Sequence, residues 1–408
     1  MCRARTAAPG LPRVWLLQGQ ADFDDHGGSL ITSQGLGEWC DAPLAFTGLA
    51  FPVLGDLLSI MRIAVDVMGG DHGCGVIIDG AKLALAENRK LTEIHLVGNQ
   101  EEIAAHLRRI HLHIGPRVRV LHATQVLTME DKPVDAVRKK KDCSIVRAIE
   151  LVRDGKADAV VSPGNTGGIL AAGTFRLRTL PCISRAAIAT VMPEPDNEFV
   201  LLDAGANTEC KPWHLAEFAI MGSIYAREIL RKPSPRVGVL SNGTEEMKGT
   251  ELTQAAVLLC KKLELNFLGQ VEGHDLFNNH VDVVVCDGFV GNIVLKTCES
   301  LARGMFAMLK RELTANPKRK LGALLAKNAF RTIKRRTDSE NYGGAPLLGL
   351  NGVVFKAHAS ARERSILNAI RVATETLEFN VNQAIAREAA KAAPLLEEAR
   401  KAGGGAEV

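Results

Sequence analysis

Five stretches of the chain read as a short apolar strand that runs directly into a turn rich in glycine, asparagine and aspartate. They are Arg62–Gly73, Ala159–Gly168, Phe199–Lys211, Val237–Gly249 and Val281–Lys296. In an open α/β sheet the ligand crevice lies outside the carboxyl ends of the parallel strands, so we expect these five ends to form one composite site. Glycine lets the backbone approach a ligand closely, and successive N–H groups at a helix start form an anion-binding nest. The pattern therefore predicts an enzyme that acts on a phosphate-like anion.

Composition narrows the class of protein. The chain has 408 residues, 46% of them hydrophobic, which is ample for a buried core in one or two domains. Fifty basic against 46 acidic residues give a net charge of only +4, so no charge field over the whole chain recruits nucleic acid. The nine cysteines form no CxxC pair, which argues against a disulfide framework and against a zinc site. We expect a cytoplasmic protein without a structural metal.

The first sixty residues differ from the rest of the chain. They are rich in glycine and proline and hold no helical or strand period for long. The apolar run Pro43–Ile60 is barely long enough to cross a membrane, and Pro52, Gly55 and Asp56 interrupt it. A secretory signal fits this segment poorly. We interpret residues 1–60 as a poorly structured extension and expect the folded enzyme to begin at Met61.

From Met61 onward, strand-like and helix-like segments alternate. This alternation is typical of βαβ units and predicts a parallel sheet, because parallel strands need crossover connections. The strand-like runs are Ile63–Val67, Glu93–Gly98, Arg117–Leu121, Ala157–Ser162, Ala187–Met192, Phe199–Leu202, Arg236–Leu240, Leu265–Gly269 and Val281–Cys286. We expect one catalytic domain over residues 61–380, followed over 381–408 by the end of a long helical tract and a flexible glycine-rich tail.

Three of the strand ends carry an aspartate together with glycine and, in two of them, an amide. The chain contains neither a P-loop nor a GxGxxG fingerprint, which weakens kinase and dehydrogenase hypotheses. The turn Ser162–Gly168 presents hydroxyl, amide and N–H donors at a helix start, although a plain βα connection explains this turn alone equally well. Asp66 and the loop Gly69–His72 are also typical of an aspartate that only holds a loop in place through hydrogen bonds. The recurrence of the pattern in Asp203–Asn207 and Asp287–Asn292 is what favours a shared cavity.

Eight motifs together identify a family. They are MGGDH (68–72), DKPVDAVRKKKDCS (131–144), GNTGG (164–168), DAGANTECKPWHL (203–215), NGTEEMKG (242–249), VEGHD (271–275), VVVCDGFVGNIVLKT (283–297) and YGGAPLLGLNGVVFKAHA (342–359). In this order, from Met61 to about Glu378, the chain closely resembles the bacterial phosphate acyltransferases of phospholipid synthesis, the PlsX family. The departures are Pro163, the pair Ser241-Asn242 and His274, and they concern local loop geometry.

The resemblance implies both a fold and a reaction. The fold is a three-layer, Rossmann-like parallel-sheet fold similar to that of isocitrate dehydrogenase and phosphate acetyltransferase, with a protruding basic amphipathic helical element. The reaction is transfer of a long-chain acyl group from acyl carrier protein to inorganic phosphate, without nicotinamide or metal. The acyl phosphate then serves a membrane glycerol-3-phosphate acyltransferase. Enzymes of this kind are homodimers that touch the inner face of the cell membrane peripherally.

The resemblance also implies site residues. It assigns catalytic roles to Lys211, Lys296, Asn207 and His72, and phosphate or substrate contacts to Asp71, Gly164, Asn165, Thr166, Gly167, Asp203, Thr244, Glu245, Asp287, Gly288 and Asn292. Phosphate is its own nucleophile, so the protein needs to supply position and charge stabilisation. Cys210 and Cys286 lie near these motifs, and we interpret them as packed cysteines and not as acyl carriers.

A second signal is the basic stretch Leu309–Arg336. It carries ten Lys or Arg residues against one acid, Glu312, with leucines at helical spacing. Three interpretations stay open: a dimer helix with a solvated basic back, a membrane-surface helix, and a docking patch for the acidic carrier protein. The predicted contact residues are Lys318, Arg319, Lys320, Leu321, Leu324, Leu325 and Lys327.

Competing functions also stay open. A sensor without turnover would keep the phosphate nest, and a short-chain phosphate acetyltransferase would share the fold. A dehydrogenase would need an adenosine pocket and an acidic metal cluster, and the sequence shows neither of these. The depth of an acyl pocket is not visible in residue types, so chain length is an expectation from the resemblance alone.

Overall fold

The computed structural model describes residues 61–337 and 343–404. The predicted extension 1–60 and the end of the predicted tail lie outside the described residues. The strands are β1 Met61–Asp66, β2 Leu91–Gly98, β3 Val118–His122, β4 Ala159–Ser162, β5 Ala187–Pro193, β6 Glu198–Leu202, β7 Arg236–Leu240, β8 Asn266–Val271, β9 Val283–Val285, β10 Ala345–Leu348 and β11 Val353–Lys356. The helices are α1 Cys74–Glu87, α2 Gln100–Arg109, α3 Pro133–Lys139, α4 Ser144–Arg153, α5 Thr166–Leu177, α6 Pro212–Glu228, α7 Glu251–Cys260, α8 Gly288–Leu313, α9 Pro317–Leu325, α10 Lys327–Thr337, α11 Glu363–Glu378 and α12 Val381–Gly404, with a short 3₁₀ helix at Gly273–Phe277.

All eleven strands belong to one sheet in the order β3-β2-β1-β4-β11-β10-β5-β6-β9-β7-β8. The strands β3, β2, β1, β4 and β11 run parallel to one another. Strand β10 is antiparallel to both β11 and β5, and β5 is antiparallel to β6. Beyond β6, strands β9, β7 and β8 continue in parallel. The sheet therefore consists of two parallel groups that run in opposite directions.

This topology corrects the expectation of one crevice built from five strand ends. The carboxyl ends of β1, β4 and β11 lie at one edge, which we call the nest edge. The carboxyl ends of β6, β9 and β7 lie at the opposite edge, which we call the Asp203 edge. The reversal arises because β5 and β6 form a hairpin, closed by a hydrogen bond from Glu194 N to Asn197 O of 2.8 Å. Such a short connection joins antiparallel strands, whereas a parallel pair needs a long crossover.

Alternating strand residues build a core on each face of the sheet. On one face Ala64, Val160, Leu201 and Val284 belong to a single apolar cluster. Their strand neighbours point to the other face and join two clusters, one beneath α1 and α11 and one beneath α6 and α12. This is the period of two that strands impose. The three-layer α/β fold is confirmed.

The helical tract near the carboxyl end is divided into two helices. Helix α11 ends at Glu378, and α12 begins at Val381 after Asn380, whose φ is 50°. Helix α12 packs Ile385, Ala389 and Leu396 into the core shared with α6. It extends to Gly404, so it is an integral part of the helical layer.

The basic stretch protrudes from this body in three helical pieces. Helix α8 has 26 residues, and Gly288 and Gly291 are its only buried ones. Asn316 caps α9 by accepting a hydrogen bond from Arg319 N, and no residue of α9 is buried. Within the described residues no helix combines the length and apolarity that a membrane crossing needs.

Candidate active site

The turn after β4 forms an anion nest at the start of α5. Asn165 caps this helix, since its Oδ1 accepts a hydrogen bond from Gly168 N at 3.0 Å. Its Nδ2 donates to the carbonyls of Thr128 and Met129, so the amide holds a neighbouring loop in place. The N–H groups of Thr166 and Gly167 occupy the first turn, where helices leave donors unpaired, and they have no acceptor in the described part of the chain. Two converging N–H groups are therefore available to an oxyanion.

Asp66 fastens this nest from below. Its buried carboxylate accepts hydrogen bonds from Ser162 Oγ at 2.7 Å and from Met68 N at 3.1 Å. Burial raises the pKa of Asp66, and the hydrogen bonds from Ser162 and Ser144 oppose this shift. A side chain on Gly69 would lie 2.6 Å from the Cα of Gly164, so glycine is required where the two loops touch. Asp66 is thus a positioning group between β1 and β4.

Asp71 and His72 lie at the mouth of the nest edge. Both side chains are exposed. The backbone N–H of Asp71 donates to Ala359 O at 2.8 Å, which ties this loop to the segment that follows β11. Their place suits contact with an arriving donor molecule.

Beside the nest lies a cavity of about 90 Å³, between β5, β10, β11 and α8. Its lining includes Thr190, Lys296, Glu299, Lys356, His358 and Ser365. Lys296 reaches it from α8, although that helix starts at the opposite edge, because the lysine lies roughly 12 Å along the helix axis. Its Nζ donates to Glu299 Oε2 at 2.9 Å. Of the expected catalytic residues, Lys296 and His72 are those found at the nest edge.

Lys356 and His358 were absent from the residues expected from sequence. Lys356 is the last residue of β11 and pairs in register with Ser162, the last residue of β4. Burial lowers the pKa of Lys356, with a further lowering from Lys296 and an opposing effect from Glu299. The motif VVFKAHA could have indicated these two residues from the sequence, because it is a short apolar run that ends in a cation at a strand end.

The opposite edge is organised around the buried carboxylate of Asp203. This group accepts hydrogen bonds from the backbone N–H groups of Ile188, Gly205, Ala206 and Asn207, at 2.7 to 3.2 Å. Asn207 adds its Nδ2 at 2.9 Å. Burial raises the pKa of Asp203, and these donors oppose the shift. Its two oxygens therefore bind donors of its own loop and of β5.

The start of α8 is also satisfied internally. Asp287 Oδ1 accepts from the backbone N–H groups of Phe289 and Val290, both at 2.9 Å. Gly288 N donates to Asn207 O at 2.7 Å, and a side chain there would lie 2.8 Å from the Asn207 backbone. Asn292 is exposed and stands beside Gly205. This helix start offers no open nest like that of α5.

Lys211 lies at the start of α6 on the Asp203 edge. It is exposed, and its backbone N–H donates to His214 Nδ1 at 3.0 Å. Burial, with Arg185, Arg400 and Lys211, lowers the pKa of His214 to about 4, so this histidine is neutral at pH 7. Thr244 and Glu245 are exposed in the loop after β7 at the same edge.

Neither cysteine near the expected site is an active nucleophile in this structure. Burial raises the pKa of Cys210 to about 12, with Asp203 adding to the effect. Burial also raises the pKa of Cys286 well above its usual value. Because the thiolate is the reactive form, both thiols are inert near neutral pH.

The predicted contact residues of the basic element lie apart from both edges. Leu321, Leu324 and Leu325 are 61%, 64% and 81% exposed. Arg319 forms an ion pair with Glu312 at 2.6 Å. Within residues 61–337 and 343–404, no three His, Cys, Asp or Glu side chains are arranged to hold a metal ion.

Comparisons with known proteins agree on a family and a fold. The family model described as "Fatty acid synthesis protein" matches residues 61–384. The phosphate acyltransferase of Pelotomaculum thermopropionicum is 49% identical over 318 residues, covering 78% of this chain and 92% of the relative. That of Desulfitobacterium hafniense strain DCB-2 is 48% identical over 329 residues, covering 80% and 97%.

Two solved structures share the fold at low identity. A phosphotransacetylase from Streptococcus pyogenes gives a TM-score of 0.54 at 19% identity, over 78% of this chain and 94% of its own. The EutD phosphotransacetylase from Staphylococcus aureus gives 0.52 at 18% identity, over 80% and 95%. At this identity the likeness concerns the fold alone.

Proposed function

Because the chain belongs to the phosphate acyltransferase family of fatty acid synthesis proteins, we propose that it transfers a long-chain fatty acyl group from acyl carrier protein to inorganic phosphate. The observation that carries this proposal is the open nest at the start of α5 beside a cavity lined by two lysines. This arrangement suits a small oxyanion as a reactant. The product, an acyl phosphate, would pass to a membrane glycerol-3-phosphate acyltransferase.

The chemistry is a direct substitution at the thioester carbonyl. A phosphate oxygen attacks the carbonyl carbon and forms the new C–O bond, and the C–S bond to the carrier then breaks. The proton of hydrogen phosphate goes to the departing thiolate, so HPO₄²⁻ and thioester give acyl phosphate dianion and free thiol. We assign the relay of that proton to His72, which is exposed at the mouth of the nest edge.

The protein contributes position and charge. Thr166 and Gly167 offer N–H donors fixed by the helix, and Lys296 offers a point charge. Donors that are already oriented stabilise the oxyanion that develops on the attacked carbonyl. Holding the two reactants together also converts a bimolecular encounter into an effectively unimolecular one. No protein nucleophile is needed, in keeping with the raised pKa values of Cys210 and Cys286.

From the family we further propose that the enzyme is a homodimer that binds peripherally to the membrane. Helix α8 exposes an apolar stripe that includes Leu301, Met305 and Met308, and a second copy of the chain would cover it. The leucines of α9 are exposed next to cations, and this combination suits the surface of an anionic membrane. We assign the stripe on α8 to a homodimer and the α9–α10 element to the cytoplasmic face of the membrane.

A single reaction separates this function from its competitors. The chain is mixed with phosphate and palmitoyl-loaded acyl carrier protein, and acyl phosphate is trapped as the hydroxamate and measured by mass spectrometry. We expect palmitoyl phosphate to form only when both phosphate and the acyl donor are present. Acetyl-CoA should be a poor acyl donor in place of the loaded carrier protein. Faster turnover of acetyl-CoA would establish a short-chain phosphate acetyltransferase. Phosphate binding without any product would establish a sensor.

A further inference from the structure

Lys356 is a cation without a partner. Its side chain is partly buried and lines the cavity beside the nest. In residues 61–337 and 343–404 no group forms a hydrogen bond or an ion pair with its ammonium, although burial and a neighbouring lysine both disfavour its charge. Charged groups taken out of water are normally paired or bound to a ligand. An anion bound next to Lys356 would therefore stabilise the charged form of this side chain.

The charges around the cavity do not cancel. Lys296 and Lys356 contribute two cations and Glu299 one carboxylate. Glu299 lies on the same helix as Lys296, three residues further on, and the two form an ion pair at 2.9 Å. Glu299 also favours the charge of Lys356, but one carboxylate cannot neutralise two cations, so one positive charge is left over in the cavity.

The cavity offers polar groups to an oxyanion and is partly open to solvent. Thr190 adds a hydroxyl group to the lining, and His358 adds an imidazole. Free phosphate presents four oxygens without an ester substituent to this lining, whereas a phosphodiester presents two. The lining therefore favours the free anion.

The cavity shares a wall with the nest. Lys356 faces Ser162 in the parallel register of β11 and β4, and Ala357 N donates to Ser162 O at 2.9 Å. Ser162 in turn fixes Gly164 by accepting from its N–H at 3.1 Å. An anion held by Lys356 thus lies beside the N–H donors of α5.

We propose that Lys356, together with Lys296, binds a phosphate group in this cavity and thereby holds the acceptor of the acyl transfer. The assignment of the bound group as the acceptor rests on the function proposed above. The binding itself does not, because it follows from the unpaired cation and the cavity. A phosphodiester of the donor's pantetheine arm has the same chemistry, and the kinetic measurements separate the two sources.

The binding test needs no donor. We compare the wild type with Lys356→Met, which removes the charge and keeps most of the length of the side chain, and with Lys356→Arg. The control is Lys391→Met on the exposed face of α12. Inorganic phosphate at constant ionic strength is expected to raise the melting temperature of the wild type, the control and, in part, the arginine variant. It should not protect Lys356→Met. In phosphate-free buffer Lys356→Met should melt at the same temperature as the wild type or higher, since it removes an unpaired buried charge.

The kinetic test assigns the source of the phosphate group. For Lys356→Met we expect the KM for inorganic phosphate to rise about 10- to 100-fold, as for the loss of a charge-assisted contact, with the KM for the acyl donor unchanged within about two-fold. A second donor, an acyl-N-acetylcysteamine, contains no phosphate and serves as the comparison. If only the KM of the carrier-bound donor rises in Lys356→Met, and the KM of this second donor does not, the cavity binds the pantetheine arm. That result would overturn the acceptor assignment.

Two further outcomes are decisive. Unchanged phosphate protection together with an unchanged KM in Lys356→Met would overturn the proposal. A wild type that forms no acyl phosphate, yet is protected by phosphate when Lys356→Met is not, would refute the proposed reaction and leave the binding site standing.

Discussion

The nest edge and the Asp203 edge use the same residue types for different purposes. At the Asp203 edge, the carboxylates of Asp203 and Asp287 accept the N–H groups of their own loops. At the nest edge, the N–H groups of Thr166 and Gly167 are open and Lys356 has no partner in the described residues. An Asp-Gly-amide turn can therefore bind an anion only where its N–H donors are not already bound by its own aspartate.

The largest effect should come from the anchor of the Asp203 edge. Asp203→Ala leaves four buried or partly buried backbone donors without their acceptor, and we expect a loss of about 3 to 5 kcal/mol in the free energy of unfolding. Asp71→Ala, an exposed acid of the nest edge, is the control and should stay within about 0.5 kcal/mol of the wild type. Chemical denaturation measures both variants. If Asp203→Ala does not fold, Asp203→Asn should show an intermediate loss, because its amide keeps one acceptor oxygen. Wild-type stability in either Asp203 variant would refute the structural role.

The next effect concerns activity at the nest edge. Lys296→Ala should cost about 2 to 4 kcal/mol of transition-state stabilisation, which is roughly a 30- to 1000-fold loss in kcat/KM. Asn165→Ala removes a neutral group and should cost less. Lys82→Ala on α1 is the control and should turn over normally. Near-normal turnover in Lys296→Ala would move the chemistry away from this edge.

Replacing Lys211 tests whether the Asp203 edge takes part in the chemistry. The family resemblance predicts a loss for Lys211→Ala equal to that for Lys296→Ala, although the two lysines lie at opposite edges of one chain. A loss of similar size, about 2 to 4 kcal/mol in the same assay, would place Lys211 of a second copy at the nest edge. Turnover close to that of the wild type would confine the chemistry to the nest edge of each chain.

A smaller effect should appear at the membrane. Lys318, Arg319, Lys320 and Lys327 flank the leucines of α9, and each cation near an anionic surface contributes about 1 kcal/mol. We expect the double variant Leu324→Glu and Leu325→Glu to leave anionic vesicles in a sedimentation assay while acyl transfer in solution stays intact. Leu258→Glu, an equally exposed leucine on α7, is the control. Dissociation into monomers or loss of activity in the double variant would assign the leucines to the dimer.

The smallest effect is expected at the cysteines. The double variant Cys210→Ser and Cys286→Ser should keep most of the activity, within about three-fold, because neither thiol ionises near neutral pH. Mass spectrometry of the wild type with acyl donor and no phosphate should find no acylated protein. A stable acyl-enzyme would contradict direct attack by phosphate.

The sequence predicted most of the fold but not its central reversal. The nine expected strands correspond to β1 to β9, because each has a clear apolar run with a crossover helix or a turn beside it. Strands β10 and β11 were missed because glycines flank them both and no helix separates them. The direction of the sheet is inverted by the hairpin of β5 and β6, because β10 is antiparallel to both of its neighbours and leaves β5 running in the direction of β11.

The same omission limited the prediction of the site. Local motifs located the nest at Asn165–Gly167, since a Gly-rich turn before a helix is a local feature. They did not reveal that Lys296 crosses to this edge along α8, or that β11 brings Lys356 beside Ser162. Those relations depend on strand order and on the length of a helix, which no single motif encodes.

Hydrogen exchange of the backbone tests the contrast between the two edges most directly. The exchange of the full chain is followed by mass spectrometry with and without inorganic phosphate, at matched ionic strength. We predict that phosphate slows exchange in peptides covering residues 163–168, where the N–H groups of Thr166 and Gly167 are open, and leaves residues 203–207 unchanged. Slowed exchange at 203–207 with no change at 163–168 would contradict the account and place the anion at the Asp203 edge.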